Sequence, residues 1–140
     1  MSQTSIPPKQ RLIVALDVPS APEARALVTE IGDAVNFYKV GLELFTGADG
    51  FGIVDWLTGQ KKNVFVDLKF FDVPATVGRA VSQLQGRGIT FATVHGNDAM
   101  MRSAAEAADG VGILAVTVLT SLDKADMLDL GFDCDIPELV

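Results

Sequence analysis

Apolar, β-branched runs recur along this chain about every 25 residues, each followed by a stretch of helical composition, which is the rhythm of parallel βα units. The runs lie at residues 11–17, 36–41, 64–69, 90–95 and 112–119. Helical stretches occupy 21–31, 74–85, 98–108 and 122–130, and the one after the second run is broken by Gly47, Gly50 and Gly52. Pro22 and Pro74 stand in first turns, where a helix tolerates proline. Gly86 and Gly88 close the helix that Pro74 opens. The fold class is therefore α/β with a parallel sheet, open or closed into a barrel. No Gly/Ser linker or low-complexity segment interrupts the 140 residues, which are enough for one core. Residues 1–10, polar and proline-containing, read as a flexible lead, and 11–140 as part of a single domain.

Polar residues gather at the carboxyl ends of the strands, where parallel α/β folds place their ligand sites. Asp17 ends the first strand, Lys39 the second, Asp67 with Lys69 the third and His95 the fourth, while Thr117 and Thr120 flank the end of the fifth. Asp67 and Lys69 are two apart on a strand and so share a face. Asp72 falls just beyond, ahead of Pro74. Two acids and a lysine at a strand mouth are costly to desolvate unless paired, and such groups cluster at active sites. Each residue alone has a plainer reading. Asp17 can form a turn, Lys39 can snorkel at a sheet edge, and Asp67 with Lys69 can be a surface ion pair. His95 can be a satisfied strand-end histidine, and Thr120-Ser121 can cap the next helix. The joint pattern at five strand ends favours a site.

Composition narrows the partners. A net charge of −7 argues against nucleic acid or an anionic membrane, although a local basic pocket for a small anion stays open. One cysteine, Cys134, and one histidine rule out an intrachain disulfide and Cys- or His-rich metal sites. The polar start lacks the apolar core of a signal peptide, and the longest near-apolar stretch, 111–119, is too short to span a bilayer. A cytoplasmic protein is expected.

These residues resemble the orotidine 5'-phosphate decarboxylase family. The resemblance runs from Arg11 to about Gly131 and rests on Leu16-Asp17, Tyr38-Lys39-Val40-Gly41, the stretch from Asp67 to Thr76, Val94-His95-Gly96, and Val116-Thr117-Val118-Leu119-Thr120-Ser121. Asp-x-Lys-x-x-Asp followed by Val-Pro and a threonine is highly specific when joined to Lys39. Phe71 and Ala75 depart from the histidine and asparagine of many bacterial members, and neither position carries the chemistry.

The resemblance implies a (β/α)8 barrel, here truncated to about five βα units, and a cofactor-free, metal-free decarboxylation of orotidine 5'-phosphate to uridine 5'-phosphate. It assigns Lys39, Asp67, Lys69 and Asp72 to an alternating charge array with Lys69 as proton donor. Asp17 and Lys39 match contacts to the ribose hydroxyls, and Thr120 a contact to the base. Asp72 and Thr76 match residues that enter the neighbouring subunit's site, so a homodimer is implied. No role is carried over for His95. The phosphate ligands follow later strands in the family, and no residue of this chain takes that role; a complete barrel runs to about 250 residues. An inactive or incomplete half-barrel or regulatory fragment is therefore the alternative from another class. A magnesium-dependent sugar-phosphate decarboxylase or hexulose-phosphate synthase shares the third-strand motif. Those relatives, however, carry glutamate where Lys39 stands here, and lack the continuation from Pro74 to Thr76.

Overall fold

A computed structural model describes residues 6–47 and 49–140. Five strands, β1 (Val14–Ala15), β2 (Phe37–Gly41), β3 (Asn63–Phe70), β4 (Phe91–His95) and β5 (Gly112–Val116), form one parallel sheet in the order of the sequence. Helices α1 (Pro8–Arg11), α2 (Ala21–Ile31), α3 (Leu42–Gly47), α4 (Gly50–Gly59), α5 (Pro74–Ser82), α6 (Asp98–Glu106), α7 (Lys124–Asp129) and α8 (Ile136–Leu139) alternate with them. Helices α2, α4, α5 and α6 pack on one face of the sheet, the arrangement that right-handed crossovers between successive neighbours produce.

That face is the core. Tyr38, Val40, Val64, Val66, Ala92 and Val94 point into it and are fully buried against Ala24 and Val28 of α2, Ile53, Val54 and Leu57 of α4, Val77 and Val81 of α5 and Ala104 of α6. The alternate residues face the other way. There Phe37 stacks on Phe91 with ring centroids 5.8 Å apart, and Phe65 meets Phe91 edge-on. Gly112 completes this aromatic floor, because a Cβ there would come within 2.6 Å of the Phe91 ring.

The expected alternation holds, with differences at the boundaries. Residues 1–5 of the expected lead lie outside the described residues, and Pro8–Arg11 forms one helical turn. The first strand shrinks from the expected 11–17 to two residues, hydrogen-bonded to β2 alone. The fifth stops at Val116, where its pairing with His95 ends. The glycine-broken stretch is two helices. Asp49 caps α4 by accepting from the Gly52 N–H at 2.9 Å, and a Cβ at Gly52 would strike that carboxylate. Thr120-Ser121 does not cap α7. Asp123 does, in a reciprocal capping box with Asp126. A carboxylate accepts more strongly than a hydroxyl, which moves the helix start past Leu122.

Candidate active site

The charged residues stand two positions beyond the aromatic floor on successive strands. Lys39 follows Phe37 and Asp67 follows Phe65 at the same spacing, so ring and charge share a face. Asp67 is the centre. Its Oδ2 lies 3.2 Å from Lys39 Nζ, and its Oδ1 accepts from Lys69 Nζ at 2.9 Å. Only 12% of the Asp67 side chain is exposed, against 24% of Lys39 and 37% of Lys69. Asp17 joins from the end of β1 at 3.7 Å from Lys39 Nζ, a looser and largely solvated contact. The Leu16 N–H, donating to the Lys39 carbonyl at 2.9 Å, ties that strand end to β2.

Burial alone would raise the Asp67 carboxyl pKa. Hydrogen bonds from Lys69, Thr93 and Lys39, together with the Lys69 charge, more than reverse this and hold it below the ordinary carboxylate range. The result is a fixed anion between two ammonium groups at the mouth of the sheet.

Lys69 reaches this position through an irregularity. Its backbone is left-handed, φ 49°, and the β3–β4 register shifts between Val66 and Phe70. Such an interruption re-aims a side chain. Thr93, not anticipated from the sequence as a site residue, is 4% exposed and contacts both neighbours. It accepts from the Lys69 N–H and donates to Asp67 Oδ1, each at 2.9 Å.

The structure thus brings together Asp17, Lys39, Asp67 and Lys69. It does not bring Asp72 into the cluster within one chain. Asp72 is exposed before α5, and its Oδ1 accepts from the Val73 N–H. It follows the strand end, so its side chain is not committed to the face that Asp67 shares with Lys69. Thr76 lies in the first turn of α5, where its hydroxyl accepts from Arg79 at 3.0 Å. Thr117 and Thr120 are exposed in the segment after β5. His95 packs edge-on against Phe71, with centroids 5.8 Å apart. Among the described residues no cluster of His, Cys, Asp and Glu has metal-binding geometry.

Residues 10–136 match the family described as "Orotidine 5'-phosphate decarboxylase / HUMPS family". The orotidine 5'-phosphate decarboxylase of Methylococcus capsulatus is 63% identical over all of this chain and 58% of its own length. That of Bradyrhizobium sp. is 48% identical over 98% of this chain and 57% of its own. Among solved structures, the orotidine 5'-phosphate decarboxylase of Lactobacillus acidophilus superposes with a TM-score of 0.82 at 36% identity, covering 94% of this chain and 63% of that one. The Thermotoga maritima enzyme of the same name gives 0.68 at 26% identity, covering 84% and 60%. The chain spans less than two thirds of the length of these relatives. The expected fold class, a barrel family represented by five βα units, agrees with these likenesses.

Proposed function

The chain belongs to the orotidine 5'-phosphate decarboxylase / HUMPS family, and we propose that its charge cluster serves the decarboxylation of orotidine 5'-phosphate to uridine 5'-phosphate. The observation that carries this reading is a carboxylate, only 12% exposed, held between two lysines on adjacent strand ends. Loss of CO2 from C6 of the pyrimidine leaves an electron pair with no adjacent carbonyl to delocalise it. Many decarboxylases supply a cofactor as electron sink; here fixed charge takes that role. The Lys69 ammonium stands where the negative charge develops, then gives its proton to C6 and regains one from solvent. Asp67 faces the substrate carboxylate, and their repulsion is relieved as neutral CO2 leaves.

In this reading Asp17 and Lys39 hold the ribose hydroxyls and Thr120 the base. Asp72 completes the array from a second subunit, with Thr76 beside it. Support for that homodimer comes from Asp72 lying outside its own chain's cluster, flanked by Phe71 and Val73, which are 69% and 62% exposed. The Lys39 ammonium beside Asp67 favours this chemistry over a magnesium-dependent one, because it occupies the position from which those relatives offer a glutamate. No helix among the described residues is long and apolar enough to cross a membrane, and we place the reaction in the cytoplasm.

The test joins these 140 residues to the remaining C-terminal part of the Methylococcus capsulatus relative. The chimera should consume orotidine 5'-phosphate, keep its rate in EDTA, and lose turnover on Lys69→Ala. A folded chimera without turnover would overturn the reading. Turnover abolished by EDTA would favour the magnesium-dependent alternative.

A further inference from the structure

We propose that Thr93 is the positioning residue of the charge cluster, one hydroxyl holding both the left-handed backbone at Lys69 and the Asp67 carboxylate between its two lysines. The link to turnover rests on the functional reading above; the geometry does not. Thr93 is a buried polar side chain, 4% exposed, on a strand it shares with Phe91, Ala92, Val94 and His95. Its place in the sheet gives it a task. Where the β3–β4 register shifts, the Lys69 N–H takes the Thr93 hydroxyl oxygen as its acceptor, at 2.9 Å. A buried amide left without a partner is costly, so this side chain stands in for the interrupted ladder.

The same bond fixes the polarity of the hydroxyl. A backbone N–H can only donate, so it occupies a lone pair on Thr93 Oγ1 and leaves the hydroxyl proton to be donated. Asp67 Oδ1, 2.9 Å away, receives it. Lys69 Nζ donates to that same oxygen, and Lys39 Nζ approaches the other. Asp67 therefore has a donor from each of three strands, and its plane is set by β4 as much as by the lysines. Bonds arranged head to tail in this way reinforce one another. One oxygen, Thr93 Oγ1, thus holds both the left-handed backbone at Lys69 and the central carboxylate.

Two substitutions separate this from a packing role. Thr93→Val keeps the shape and removes both bonds; Thr93→Ser keeps both bonds and removes a methyl. Carbon-detected NMR of the chain would follow the Asp67 carboxyl titration and the exchange of the Lys69 amide. We expect Thr93→Val to move the Asp67 midpoint upward and to speed Lys69 exchange, with Thr93→Ser matching the parent on both. In the chimera, Thr93→Val should lower kcat about ten- to a hundredfold, the effect of one hydrogen bond to a charged group, with a smaller change in KM and recovery in Thr93→Ser. A folded Thr93→Val protein with unchanged Asp67 titration and Lys69 exchange would overturn the proposal. Should Thr93→Val not fold, the parent decides: a Lys69 amide as protected as those of Ala92 and Val94 supports the proposal, and a freely exchanging one overturns it. A chimera without turnover counts against the functional reading and leaves both NMR readouts standing.

Discussion

At Asp67 two effects oppose one another: burial favours the neutral acid and the surrounding donors favour the anion, and the donors prevail. A carboxyl whose folded pKa lies below its unfolded value near 3.8 adds stability that is complete above that value and is lost as pH falls through the lower folded one. Asp67→Asn should therefore be most destabilising near neutrality, because it leaves Lys39 and Lys69 without their shared counter-charge. Its deficit relative to the parent should shrink below pH 3.8, which urea unfolding at several pH values would measure. In the chimera the same substitution should cost several orders of magnitude in turnover with the fold retained; near-normal turnover would refute the assignment of Asp67. Lys39, Asp67 and Lys69 were legible in the sequence because charge at the end of an apolar strand is costly to desolvate unless it is paired or used. Thr93 was not, since threonine is an ordinary strand former. Its place two residues before His95 and two after Phe91 was the available clue. The left-handed turn at Lys69 leaves no compositional trace, because no glycine marks it.

The elements follow the same rule of partners. Strands paired on both sides, β2 to β4, keep close to the lengths their apolar runs suggest. Those paired on one side, β1 and β5, end early, and sequence composition does not show which strands will be edges. The start of α7 moved because Asp123 offered a better cap than the hydroxyls of Thr120 and Ser121. Between helices, α5 and α6 approach closely at Gly78, where a Cβ would lie 2.5 Å from Ser103 Oγ and 3.2 Å from its carbonyl oxygen. Gly78→Ala gains helix propensity but must part the two helices. A net loss of about 1–3 kcal/mol is expected from such overpacking, and Ser103→Ala in the same chain should recover part of it. At Gly59, the last residue of α4, nothing lies within 4 Å of the place a methyl would take, so alanine there should be neutral or slightly stabilising. Denaturant midpoints of the three proteins would separate propensity from packing.

Taken whole, the molecule is a parallel sheet with α2, α4, α5 and α6 packed on one face and rings and charges on the other. Among the described residues β1 and β5 each pair on one side only, and Leu114 and Ala115 of β5 are exposed. Open edges of this kind invite pairing with another chain. The apparent mass of the 140-residue protein in size-exclusion chromatography with light scattering should therefore rise with concentration, and Leu114→Lys should reduce that rise. A strictly monomeric parent at high concentration would show that the edge is protected. The sheet's order has a consequence in time as well as in space. Among the described residues each strand after the first pairs with the one made just before it, so these five can be laid down in their order of synthesis. Asp17, Lys39, Asp67 and Lys69 all belong to the first three strands or their ends. Thr93 arrives with the fourth and locks them, so the charge cluster can be assembled before the fifth strand pairs.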